Sequence, residues 1–127
     1  MKIQEIFDLA IKMGIAADLR GQERVLVNLQ KQKKAFDKLP ATDQAEFDQD
    51  KLTNPFLDSR ILHIAQDQEI KKIMVGVDME GPEIILAKQM GIDLVIAHHP
   101  EGIGLASLAE VMHFQAEVLS QYGVPIN

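Results

Sequence analysis

The 127-residue chain has no cysteine and no tryptophan. That excludes a disulfide framework and thiolate metal sites, so any metal must be held by imidazole and carboxylate. Aromatic residues make up only 5% of the chain, so the core should be aliphatic. No apolar run is long enough for a membrane span and no signal-peptide pattern is present, so the expectation is a soluble, cytoplasmic protein with no membrane partner. Positive charge is the minority: 13 Lys and Arg against 19 Asp and Glu leave a net charge of -6. That balance argues against nucleic acid as the main partner. No repeat or low-complexity segment appears, and the length suits one domain, or a domain with a helical extension.

The first half reads as helical. Residues 2 to 13 place Ile3, Ile6, Phe7, Ala10 and Ile11 on one helix face, with Gly14 as the expected stop. A second helix should run from Gly21 or Gln22 to Lys38, ended by Pro40. Its Lys31-Gln32-Lys33-Lys34 run is a solvated face in an acidic chain. A short polar helix from Thr42 to Gln49 or Asp50 follows, with Thr42 or Asp43 as its cap. Asp43, Glu46, Asp48 and Asp50 lack the glycine and terminal glutamate of a calcium loop. The loop Thr53 to Ser59 is the expected junction between a helical arm, residues 1–57, and an α/β lobe, residues 58–127.

In the second half, Arg60 to Ala65 reads as a first strand, carrying His63. After a turn at Gln66 to Glu69, Ile70 to Val77 reads as a second, pairing antiparallel with the first. Pro82 to Gly91 is a helix with proline in its first turn and glycine at its end. Asp93 to Ala97 is a third strand. Strand, helix and strand make a βαβ unit with parallel strands, so the sheet should be mixed. Glu101-Gly102-Ile103-Gly104 reads as a flexible loop. Ser107 and Glu110 match a capping box for a last helix ending near Tyr122, which carries His113. The glycine stop at Gly123 and the apolar Val124-Pro125-Ile126 look like the start of another strand. The expectation is therefore the N-terminal part of a longer protein.

Chemistry concentrates where the two parallel strands end, which is where open parallel sheets gather their ligands. One ends in Asp78 and the other in His98-His99-Pro100. Adjacent strand side chains point to opposite faces. The two imidazoles can serve one site only if the backbone leaves regular strand geometry, and Pro100 restrains His99 in a way that makes this plausible. Neutral imidazoles suit zinc, iron, cobalt or nickel, and each histidine can serve a different ion of a close pair. Asp78 is the best added carboxylate, as a ligand or as a partner orienting an imidazole, and Glu101 is a flexible second candidate. His63 and His113 read as packed or surface residues.

Val75-Gly76-Val77-Asp78, Glu83-Ile84-Ile85-Leu86-Ala87 and Gly91-Ile92-Asp93-Leu94-Val95-Ile96-Ala97-His98-His99-Pro100, in that order, resemble the NGG-one-interacting-factor-three family. Its members are also called GTP cyclohydrolase I type 2 proteins. The resemblance covers about residues 60 to 100. It implies a dinuclear metal centre in a two-lobed α/β protein, often a toroidal hexamer, with the paired histidines, here His98 and His99, holding one metal each. The family's later ligands, from a His-Thr…Asp segment and a C-terminal histidine and glutamate, have no matching positions here. Glu101-Gly102-Ile103-Gly104 also replaces the apolar residues that commonly follow the proline, and the helical arm lacks the family's usual Trp-Asp-Asn-like opening.

Two functions remain open, beside the reading of a fold domain whose histidines have no role. The first is a metal-dependent, hydrolase-like protein, in which water attacks a nucleotide or other phosphorylated small molecule at a site holding two divalent ions. The second is a non-catalytic metal-binding or protein-interaction module of the same fold. The expected architecture is α/β: a helical arm, then a mixed sheet with its βαβ unit and flanking helices, half of a two-lobed fold and a homo-oligomer.

Overall fold

The computed structural model describes residues 1–125. In chain order it contains α1 (Ile3–Ala17), α2 (Gln22–Phe36), α3 (Ala41–Glu46), a 3-10 turn (Gln49–Leu52), β1 (Ile73–Gly76), α4 (Gly81–Gln89), β2 (Leu94–Ala97), α5 (Gly102–Ala106) and α6 (Leu108–Gln121). The fold is mixed and helix-rich, with one small parallel sheet among the described residues. The strand expected to begin near Val124 extends to Ile126 and Asn127, which lie outside the described residues. No helix among the described residues is long and apolar enough to cross a membrane. The chain divides into two units: Met1–Leu9 with Asp58–Leu108, and Ala10–Leu57 with Ala109–Asn127. One division thus falls between Leu57 and Asp58, while the first nine residues group with the strands and most of α6 with the helices.

In the helical unit, α1 does not stop at Gly14 but continues to Ala17. A Cβ at Gly14 would lie 2.7 Å from the Phe56 ring, so glycine serves close packing there and not termination. Val25 of α2 and Leu57 are buried, and Phe36 meets the Phe47 ring at 5.0 Å. The α2–α3 corner is held by Gln44, whose amide donates to the carbonyls of Phe36 and Leu39. The helix begins one residue before Thr42, with Pro40 and not Thr42 or Asp43 at its cap position, and ends at Glu46. Asp48 then accepts from the Asp50 N–H at 3.2 Å and starts the 3-10 turn. Arg20 ties this unit together. It forms a two-point bridge to Asp18 (2.9 and 3.1 Å), reaches Glu117 of α6 at 3.1 Å, and lies 4.6 Å over the Phe114 ring.

The other unit holds β1, α4 and β2. β1 and β2 pair in parallel, with Ile73 opposite Leu94 and Gly76 opposite Ala97. α4 starts with a reciprocal capping box between Glu80 and Glu83, with a proline in its first turn. It ends at Gly91, whose φ of 63° suits glycine. There Ile92 N–H donates to the Ala87 carbonyl and Gly91 N–H to that of Lys88, the double bond pattern of a Schellman stop.

Three expectations are corrected here. Arg60–Ala65 is not a strand, and no strand begins before Ile73. The described sheet is therefore two-stranded and parallel, with neither an antiparallel partner nor a mixed order. Strand propensity is realised only through a paired neighbour, and the ladder here is opened from the other side. The Asp93 carboxylate accepts the Lys71 and Lys72 N–H groups, each at 2.8 Å, which fixes the start of β1 against β2. Second, residues expected as a flexible loop form α5, where Gly104 is buried against the Asp58 carbonyl. Third, Glu110 does not close a capping box: both of its oxygens are taken by Lys51, at 2.8 and 2.9 Å.

Candidate metal centre

The register of the parallel pair decides what meets at its end. Because Gly76 lies opposite Ala97, both strands stop level, and the next residues are Val77-Asp78 on one and His98-His99 on the other. His98 N–H donates to the Gly76 carbonyl at 2.8 Å, and His99 N–H donates to the Val77 carbonyl at 2.9 Å. In a regular strand, successive N–H groups point to opposite edges. Two consecutive amides reaching the same neighbour require a bend, and the backbone bends at both histidines. The imidazoles are therefore not thrown to opposite faces. Their ring centroids lie 5.3 Å apart with 35° between the planes.

His99 Nδ1 lies 2.6 Å from Asp78 Oδ1. A carboxylate is an acceptor only, so this contact assigns the proton of the neutral imidazole to Nδ1 and leaves Nε2 with its lone pair outward. Both side chains are well exposed, at 58% for His99 and 68% for Asp78. The Asp93 carboxyl, at the far end of β2, is held below its ordinary value by the Lys71 and then the Lys72 backbone N–H, with smaller help from their charges. It is a structural clamp.

Of the four candidate ligands, the structure brings Asp78, His98 and His99 to one end of the sheet. Glu101 is exposed at the start of α5, where its carbonyl accepts from Gly104 N–H at 3.0 Å. No group of three or more His, Asp or Glu side chains among the described residues is arranged to hold a metal ion. His63 is exposed on an irregular segment, not a strand, and His113 is exposed on α6. The Arg20 and Asp93 clusters were not legible as such in the sequence. Their only signals were an arginine beside the helix-breaking Gly21 and an aspartate just ahead of an apolar run.

Comparison with family models, curated proteins and solved structures gives no match.

Proposed function

We propose that the chain is a metal-binding, hydrolase-like protein of the kind its HHP segment resembles. In this reading His98 and His99 are the first two ligands of a pair of divalent ions. The observation that supports it is the 2.6 Å contact between Asp78 and His99 Nδ1, because metal-binding histidines commonly give their other ring N–H to a carboxylate. The donor set fits: two imidazoles with a carboxylate behind one of them suit zinc, iron, cobalt or nickel. An ion held there would supply a nucleophile at neutral pH by acidifying water. The chain's own part is to bind and to orient. The bend at His98 and His99 sets the rings side by side, and Asp78 holds the His99 tautomer.

The family's remaining ligands have no matching positions in this sequence. This reading takes β1, α4 and β2 as the βαβ unit of one lobe of a two-lobed α/β protein, assembled as a homo-oligomer and, by family resemblance, a hexamer. Two ions per complete site would act on a nucleotide or other phosphorylated small molecule, opening of a purine ring being one such reaction. The exposure of the Asp78–His99 pair favours the second reading, a non-catalytic metal-binding or interaction module. An exposed dipole does little for a transition state compared with one in a dry site.

The test is metal content by mass spectrometry after loading with zinc or cobalt, beside a His98→Ala/His99→Ala variant. The expected result is substoichiometric metal in the wild type, none in the variant, and no turnover of nucleotides by this chain alone. Equal metal in both overturns the metal-binding reading. Turnover that survives the double substitution overturns the placement of the site.

A further inference from the structure

Asp78 places the His99 proton although its own side chain is mostly in solvent. Neither its N–H nor its carbonyl bonds to another backbone group among the described residues. Little holds the carboxylate directly, so its direction is set by what flanks it. On one side the Val77 carbonyl accepts His99 N–H at 2.9 Å. On the other, Met79 is the one buried residue between Ile73 and Leu86, and the Glu80 cap of α4 follows at once. The Met79 side chain folds back over Gly76, the last residue of β1. A Cβ at Gly76 would collide with the Met79 sulfur and lie 3.5 Å from Met79 Cγ and 3.8 Å from the Asp78 carbonyl oxygen. The thioether therefore fills the space that a side chain at Gly76 would need. Glycine in a strand often marks a close approach of this kind, and an unbranched thioether suits an irregular gap.

We propose that Gly76 and Met79 are positioning residues of the candidate metal centre: the Met79 side chain, seated on Gly76, pins the turn that presents Asp78 to His99. Its purpose there rests on the metal-binding reading, but the positioning itself is read without metal. Only Val77 and Asp78 lie between Gly76 and Met79. The His99 amide fixes the first of them, and the Met79–Gly76 contact closes the far end. With both ends of so short a span anchored, Asp78 is aimed at His99 Nδ1, which it meets at 2.6 Å. Releasing the Met79 end leaves an exposed carboxylate free to turn into water. A side chain at Gly76 has the same effect from the other partner. The end of a methionine can swing aside, but not while keeping the seat that buries it. A carboxylate that orients a metal-binding imidazole is only as well placed as the packing behind it.

The test reads His99 by imidazole ¹⁵N spectra in EDTA at about pH 8, where the ring is neutral. The wild type should show the Nδ1–H form. Gly76→Ala, by displacing the thioether, and Met79→Ala, by removing it, should each lower that preference about two- to fivefold, as much as losing the carboxylate would. Ala87→Gly, at a buried position of α4, is the control. It should lower the melting temperature and leave His99 unchanged, which separates positioning from a general loss of stability. A wild type without the Nδ1–H form overturns the proposal. So does an unchanged His99 in either folded variant, or a shift of the same size in Ala87→Gly. If circular dichroism shows that one of the two variants does not fold, the other decides. Titration with zinc then separates the positioning from the reading it serves. Zinc affinity should fall by no more than about tenfold in both variants. An Nδ1–H wild type that binds no zinc overturns the metal-binding reading and leaves the positioning in place. Variants that bind less zinc with His99 unchanged overturn the positioning and leave the metal-binding reading in place.

Discussion

Replacing Asp78 by asparagine keeps the shape of the carboxylate and removes its charge, so it isolates what the 2.6 Å contact to His99 contributes. A hydrogen bond to an ionised group is worth about 1.5–3 kcal/mol in protected surroundings. Here the two side chains are more than half exposed, and exposed charge pairs fall to about 0.2–1 kcal/mol. Taking about 0.5–1 kcal/mol, the preference for the Nδ1–H tautomer should weaken about two- to fivefold. Buried carboxylate partners of metal-bound histidine change affinity by about 10–100-fold. Scaled for this exposure, cobalt or zinc affinity in Asp78→Asn should drop by no more than about tenfold. Imidazole ¹⁵N spectra read the tautomer without metal, and calorimetric titration with cobalt reads the affinity. The expected outcome is a Nδ1–H signature for His99 in the wild type, mixed tautomers in the variant, and weaker metal in parallel. An unchanged His99 spectrum in Asp78→Asn would show that the carboxylate does not hold the ring, and the orienting role would fall with it.

The Arg20 cluster gives two further predictions, both on stability. Arg20→Met keeps much of the apolar stem but removes the guanidinium from the Asp18 carboxylate, whose side chain is fully shielded beside an arginine only 10% exposed, and leaves it only the backbone N–H of residue 20. Breaking a buried pair on one side costs about 3–5 kcal/mol; the partly exposed Glu117 end and the backbone N–H that Asp18 keeps discount that, so urea denaturation should show a loss of about 1–3 kcal/mol. A loss below about 0.5 kcal/mol would place the cluster among ordinary surface charges. The pH dependence follows with its sign. Burial pushes the Asp18 carboxyl up, but the hydrogen bonds and charge of Arg20 outweigh it and hold the group below its ordinary value. A lowered folded value stabilises the fold above the ordinary carboxylate range, and that contribution is lost as pH falls through the folded value. Thermal melts at pH 7 and pH 5 should therefore agree in the wild type-minus-variant difference, which should shrink below about pH 4. A difference that stays constant down to pH 2.5 contradicts the assignment.

What the sequence made legible depended on whether the determinant was local. The α4 span could be read directly because Pro82 and Gly91 act within one turn, and the structure uses Gly91 as its stop with a positive φ. The two parallel strands were legible as apolar runs, and the end-of-strand positions of Asp78 and His98-His99 came with them. Arg60–Ala65 failed for the opposite reason. Its residues favour strand, but a strand needs a neighbour that no local pattern reports. Gly14 misled because a glycine reads as a stop, while its use here is a contact with Phe56, distant in sequence. At the candidate site, the need for a bend was foreseen from Pro100, but the means was not. Only the register shows that the Gly76 and Val77 carbonyls draw both histidine amides to one side. Glu101, read as part of a flexible loop, instead immediately precedes α5 and accepts from Gly104 N–H through its carbonyl.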